Sequence, residues 1–301
     1  MRIAFAGTPE VAIPTLEALI ANGHEVAFVI TRPDAPAGRG RTITPSPVAL
    51  AAQQHGLETF KTSQLLNVSH EVSDVDAVIV VAFGGLVPDE LLTVPRYGWI
   101  NVHFSLLPHW RGAAPVQHAI MAGDDVTGVT TFRIDSGLDT GEVLGQVTTI
   151  IHKNETSGEL LERLGHEGAS LLVATLAGIE TGAIVPMAQA EHDVTLAPKI
   201  SKAQAQIDWS LPALAIERRI RAMTPHPGAW TMCNDERLKI FPVTLDHVAI
   251  YLEPGVIQIY EDDVIVGTGS HALTLGQVQQ AGRNAITARQ WASNNKDAVF
   301  K

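Results

Sequence analysis

From its first residues the chain alternates short apolar runs with helical patterns. That alternation restricts the N-terminal part to a layered α/β fold with a largely parallel sheet, because each parallel strand needs a crossover to reach the next. Arg2 to Ala6 reads as a strand. Over residues 10–22, Val11, Thr15, Leu19 and Ala12, Leu16, Ile20 recur at helical spacing, Gly23 stops the pattern, and Glu25 to Thr31 reads as the second strand. The apolar runs Ala77–Ala82 and Gly98–Val102 predict buried strands, with Pro88–Leu92 as a short helix between them. Val129–Ile134 and Val143–Ile151 read as further strands. A helix from about Ser157 to Ile179, with N-capping residues at Thr156-Ser157, closes a domain over residues 1–181.

Periodicity lapses over residues 182–204, a polar stretch with Pro186 and Pro198 that reads as a linker. Residues 205–301 then read as a second domain. A helical pattern at Leu211–Met223 precedes short β-rich runs at Ala229–Met232, Leu238–Phe241, Gly255–Tyr260, Val264–Gly267 and Ala272–Val278. Such a density of short strands predicts a small barrel, of which an OB-like barrel is one solution and a small sandwich another.

Composition narrows the function classes. With 46% hydrophobic and 18% charged residues among 301, the chain is neither disordered nor a membrane protein. Its richest apolar run, Ala77 to Phe83, is far below the roughly 20 residues that span a bilayer. Met1–Ala6 meets Gly7-Thr8-Pro9 before a signal-peptide core develops. The single cysteine, Cys233, excludes an internal disulfide and fits a cytoplasmic location. A net charge of −11 argues against a surface coated for nonspecific nucleic-acid binding. The charge is unevenly placed, with 10 basic and 22 acidic residues up to 198 and 11 basic and 10 acidic thereafter. Any nucleic-acid contact therefore needs local basic elements, such as the loop with Arg32, Arg39 and Arg41 or the cluster Arg218, Arg219 and Arg221.

Gly7-Thr8-Pro9 sits where a dinucleotide fold places its glycine-rich turn, but the G-x-G-x-x-G spacing is absent, so nicotinamide chemistry loses support. The 12 histidines lack metal-ligand spacing, and no metal is expected. The informative stretch is Asn101-Val102-His103-Phe104-Ser105-Leu106-Leu107-Pro108-His109-Trp110-Arg111-Gly112. On a strand, Asn101 and His103 point to one face, near the end where open α/β sheets bind ligands. An amide donor beside an imidazole suits acyl transfer: one stabilises an oxyanion, and the other donates to it or handles a proton. A lone strand-end histidine is more often structural. Asp139, in the glycine-bracketed Gly137-Leu138-Asp139-Thr140-Gly141, is either a turn carboxylate or a group that orients and charges His103.

Asn101, His103, Ser105–Pro108 and Gly137–Gly141 together resemble the 10-formyltetrahydrofolate-dependent formyltransferase family. The more extended similarity is to its members acting on methionyl-tRNA. It is carried by Phe5–Pro9, Arg32-Pro33-Asp34, Pro36–Arg41, Pro45–Val48, Trp110–Pro115 and Ile207–Ser210. The resemblance implies a Rossmann-like N-terminal formyltransferase domain with a smaller C-terminal OB-like β-barrel that contacts tRNA. It also implies that Asn101, His103 and Asp139 are catalytic, and that Ser105, Leu106, Leu107 and Pro108 bind 10-formyltetrahydrofolate. Phe83, Gly84, Leu86 and Val87 would help form its pterin pocket. Arg39 and Arg41 would bind initiator methionyl-tRNA. A monomer is expected.

Departures from the family pattern are Phe104 after the catalytic histidine, Phe83 in the pterin segment, and Thr42 and Asn284 where basic residues are common. The last two bear on tRNA affinity and leave the catalytic trio intact. A sugar-nucleotide N-formyltransferase or a formyltetrahydrofolate hydrolase could retain that trio, but neither explains Arg39-Gly40-Arg41 as well. A folate- or RNA-binding module without catalysis is the non-enzymatic alternative.

Overall fold

The computed structural model describes all of residues 1–301 other than 38, 39, 41, 247–249, 296 and 297. The chain divides into two compact units, one comprising residues 1–115, 126–150 and 161–198, the other residues 116–125, 151–160 and 199–301.

In the first unit, β1 (Arg2–Gly7) leads through α1 (Ile13–Ala21) to β2 (Glu25–Thr31). A hairpin of β3 (Ala35–Ala37) and β4 (Thr42–Thr44) follows, then α2 (Pro47–Gln54) and β5 (Thr59–Lys61). Ser46 caps α2, its Oγ accepting from the Ala49 N–H at 3.1 Å. After α3 (Ser69–Val72) come β6 (Ala77–Val81), α4 (Asp89–Leu92) and β7 (Trp99–His103). The helix α5 (Pro115–Ala122), all but its first residue counted in the second unit, precedes β8 (Val126–Arg133), β9 (Val143–Ile150) and the long α6 (Ser157–Glu180), whose first turn also belongs to the second unit.

The seven strands form one sheet in the order β5-β2-β1-β6-β7-β8-β9. Its first five strands are parallel, and β8 and β9 are antiparallel. This is the Rossmann-like arrangement expected from the sequence. The order turns back beside β1: the chain runs outward to β2 and β5, then returns to β6 on the other side. Crevices beyond the strand C-termini at such a reversal are where open α/β sheets bind ligands. Every residue of β6 is buried, as the unbroken Ala-Val-Ile-Val-Val run requires of a strand covered on both faces. Trp99 is fully buried, and its Nε1–H donates to the Leu91 carbonyl at 2.7 Å, so the core contains the indole with its polar atom satisfied.

The second unit contains α7 (Ala213–Met223), followed by β10 (Trp230–Cys233), β11 (Glu236–Ile240), β12 (Val243–Thr244), β13 (Ile257–Tyr260) and β14 (Asp263–Val266). Then come β15 (Leu273–Leu275), β16 (Gln277–Gln280), β17 (Ile286–Thr287) and α8 (Ala288–Ser293). Its strands are antiparallel and lie in two sheets, β10-β11-β16-β17 and β12-β15-β14-β13. Among the described residues no strand pairing closes them into a single barrel. The run Ala272–Val278, read as one strand, is divided at Gly276, where the chain leaves β15 in one sheet and enters β16 in the other. Trp209, Trp291 and Phe300 stack in the core of this unit, with ring centroids 5.3 and 5.7 Å apart.

Among the described residues, no helix is long and apolar enough to cross a membrane.

Candidate active site

Asn101 and His103 lie on β7 two residues apart, with Phe132 and Thr130 of β8 as their antiparallel partners. His103 is 5% exposed, and its ring meets Phe132 edge-on with centroids 6.3 Å apart. Beyond β7 the chain turns back over the strand end, and His103 Nε2 sits 2.9 Å from the Trp110 carbonyl. A carbonyl oxygen only accepts, so Nε2 carries the hydrogen and Nδ1 holds the lone pair of the neutral ring. Nδ1 faces Asp139 Oδ2 at 3.8 Å. Burial lowers the His103 pKa from its ordinary value; the Asp139 charge and the Trp110 carbonyl oppose that shift without cancelling it. The half-buried Asn101 makes no side-chain hydrogen bond among the described residues, so both of its amide hydrogens can serve a ligand.

Asp139 comes from the loop between β8 and β9 and is held at a φ of 53°, a left-handed conformation uncommon for a side-chain-bearing residue. The loop is built to hold it there. Asp135 Oδ1 accepts from Gly137 N–H at 3.0 Å and from Thr140 Oγ1 at 2.7 Å. Gly141 lies so close to the Arg133 carbonyl that a Cβ would sit 1.7 Å from its oxygen. The Asp139 carboxylate in turn accepts the Gly112 N–H at 2.8 Å.

The sequence-predicted residues are thus brought together at the trio, and less uniformly elsewhere. Ser105 is fully buried and donates to the His109 carbonyl at 2.6 Å, so its hydroxyl shapes the turn. Thr130 Oγ1 donates to the Ser105 carbonyl at 2.7 Å and accepts the Leu107 N–H at 3.1 Å, while Gln146 Nε2 donates to the Leu107 carbonyl at 2.9 Å. These bonds leave Leu106 and Pro108 as the partly exposed side chains of the segment. Phe83 is buried in the core of the first unit, and its carbonyl accepts from Thr8 Oγ1 at 3.1 Å. Gly84 is at a φ of 76°, Val87 is half-buried and Leu86 is 90% exposed. Arg39 and Arg41 lie outside the described residues.

Sequence reasoning missed the segment that supports these loops. Residues 182–204, read as a linker, place Thr195 Oγ1 where it accepts the Trp110 N–H at 2.8 Å, and Gln189 against both Arg111 and the Asp139 loop. Arg111 pairs with Leu196 in a parallel bridge, and Val143 with Met187 in an antiparallel one. The Trp110-Arg111-Gly112 motif was visible, but its use through backbone atoms was not. Among the described residues there is no group of three His, Cys, Asp or Glu that could hold a metal ion.

Residues 1–176 match the formyl transferase model, and residues 199–296 match the formyl transferase C-terminal domain. The chain belongs to the formyl transferase family. A methionyl-tRNA formyltransferase from Arthrobacter sp. is 51% identical over 295 residues, covering 97% of this chain and 96% of the relative. Proteins of the same name from Mycobacteroides abscessus and Thermobifida fusca are 51% and 50% identical, again over 97% of this chain and 96% of their own lengths. Among solved structures, HypX from Aquifex aeolicus in complex with tetrahydrofolic acid aligns with a TM-score of 0.69 at 17% identity, over 98% of this chain and 47% of that one. WlaRD, a sugar 3N-formyl transferase, aligns with a TM-score of 0.67 at 17% identity, over 94% and 99%. These two likenesses concern the fold.

Proposed function

We propose that Asn101, His103 and Asp139 carry the transfer of a formyl group from 10-formyltetrahydrofolate to the α-amine of methionyl-tRNA. The observation that supports the acceptor best is about 50% identity to methionyl-tRNA formyltransferases across both units of the chain. A sugar-nucleotide acceptor rests on fold likeness alone.

The chemistry follows from which ring nitrogen of His103 is occupied. With Nε2–H on the Trp110 carbonyl, Nδ1 is the basic atom. The amine attacks the formyl carbon and the carbonyl becomes an oxyanion, to which the Asn101 amide donates. Nδ1 takes the proton released by the amine nitrogen, and the Asp139 carboxylate stabilises the resulting imidazolium. The imidazolium charge adds to oxyanion stabilisation. Collapse breaks the bond between the formyl carbon and the folate nitrogen, which receives the proton. Burial suits this cycle, because it keeps His103 neutral and ready to accept near pH 7.

The folate is assigned to the edge formed by Ser105, Leu106, Leu107 and Pro108 together with Phe83, Gly84, Leu86 and Val87. The buried Phe83, Ser105 and Leu107 hold the two segments in shape through their internal hydrogen bonds, and Leu106, Pro108, Val87 and Leu86 present apolar surface. Arg39 and Arg41 are assigned to tRNA phosphates or base edges. The antiparallel second unit is read as an OB-like barrel, and the protein as a cytoplasmic monomer. The test is incubation of purified protein with 10-formyltetrahydrofolate and methionyl-tRNA, following tRNA formylation and tetrahydrofolate release with uncharged tRNA as control. Formylated methionyl-tRNA is expected; folate release without it would redirect the reading to hydrolysis or another acceptor.

A further inference from the structure

The segment 187–197 touches both poles of the His103–Asp139 pair without belonging to either. At one pole, Thr195 Oγ1 accepts the Trp110 N–H at 2.8 Å, and the Thr195 carbonyl accepts the Arg111 N–H at 2.9 Å. Trp110 is the residue whose carbonyl orients His103. At the other pole, Gln189 Nε2 donates to the carbonyls of Asp139 and Gly141, both at 2.8 Å. Its Oε1 accepts from Arg111 Nε and Nη2 at 3.0 and 2.7 Å. A guanidinium has only donors, so Arg111 determines which end of the carboxamide is oxygen and aims Nε2 at the two carbonyls. All four hydrogen-bonding positions of this side chain are used, and they join the two loops that face His103.

We propose that Gln189 is a positioning residue for formyl transfer, its carboxamide clamping the Asp139 loop to the Trp110–Gly112 loop and so setting the Asp139–His103 separation. Asp139 needs such a restraint. Its backbone is in the left-handed region, which persists in a non-glycine residue only where surrounding contacts impose it. The Gly112 N–H fixes one carboxylate oxygen, and Gln189 fixes the main chain that carries it. The proposal rests on the reading of Asp139 and His103 as catalytic, and it adds a residue that acts on substrate only through them.

Gln189→Glu separates the clamp from local stability. It keeps the partner for Arg111 but replaces two donors with an acceptor facing two carbonyls. Expected is a loss of about tenfold to a hundredfold in kcat, the range for a small misplacement of a reacting group, with KM for both substrates within about twofold. His103 should titrate at lower pH by NMR, because a displaced Asp139 no longer raises it. On an Asp139→Asn background the same substitution should add less than about twofold, since residues acting as one unit are not additive. Unchanged kcat and unchanged His103 titration in Gln189→Glu, with Asp139→Asn impaired, would overturn the clamp alone. A fully active Asp139→Asn would overturn the site reading and the clamp with it. Gln189→Met, which deletes all four bonds, carries the same titration test if the glutamate variant does not fold.

Discussion

In the proposed mechanism a backbone atom decides the chemistry at His103, because the Trp110 carbonyl takes the Nε2 hydrogen and leaves Nδ1 for the proton. Asn101→Ala should lower kcat about 10²- to 10³-fold, the range for deleting an oxyanion donor, with little change in KM; near-normal turnover would remove Asn101 from the mechanism. The proposed mechanism works through neutral His103, whose pKa is lowered, so the acid limb of kcat should fall below pH 6.5, the ordinary histidine value. Asp139→Asn should abolish most activity and move that limb lower still; an unaltered profile would leave Asp139 as a turn residue. The same shift affects stability with a definite sign. Below pH 6.5 the unfolded chain takes up a proton that folded His103 refuses, so stability falls from pH 6.5 down to the lowered folded value, and above 6.5 this group contributes no slope. His103→Gln should flatten that part of a stability-versus-pH series measured by urea unfolding.

Among the elements, the loop between β8 and β9 and the segment 187–197 act as one support, and glycine is the residue that lets the loop close. Gly141→Ala would place a methyl group inside the contact distance of the Arg133 carbonyl at the end of β8. Expected is destabilisation of about 1–3 kcal/mol by urea unfolding, with a larger proportional loss of kcat, because Asp139 moves with the loop. A stable, fully active variant would show that the loop geometry is not needed. In the second unit, α8 begins with a complete capping box, in which Thr287 Oγ1 accepts the Gln290 N–H and the Gln290 side chain accepts the Thr287 N–H. Thr287→Ala should cost about 1 kcal/mol and leave formyl transfer from 10-formyltetrahydrofolate unchanged at temperatures below unfolding.

For the whole molecule, the acidic balance makes tRNA recognition a matter of local charge. Residues 1–198 carry 10 basic against 22 acidic side chains, so a basic loop has to act against its own surroundings. Arg39→Ala with Arg41→Ala should raise KM for methionyl-tRNA and flatten its salt dependence by about two in the log–log slope, one for each phosphate no longer neutralised, with folate binding intact. Unchanged tRNA kinetics across a salt series would disprove this role for the two arginines.

The local periodicities of the sequence determined the central strands. Glu25–Thr31 was bounded as it is observed, and β1, β6, β7, β9 and α6 came within a few residues, because buried strands and long amphipathic helices carry their burial pattern in their own residues. Asn101 and His103 share one strand, so alternation alone set them on one face, whereas Asp139 read equally as a turn carboxylate and joined them only through the family resemblance. Elements formed by distant partners were not legible. β5 is three residues stabilised by pairing with β2, and the hairpin β3–β4 and helix α5 have no periodicity long enough to read. The support of the site was hidden for the same physical cause. Gln189 and Asp139 are 50 residues apart and meet through a side-chain amide and a backbone carbonyl, an interaction that leaves no mark in the order of the residues. The sequence alone determined which groups could do the chemistry; the tertiary structure decided which nitrogen of His103 is basic, how Asp139 is held beside it, and that a polar stretch resembling a linker holds them both.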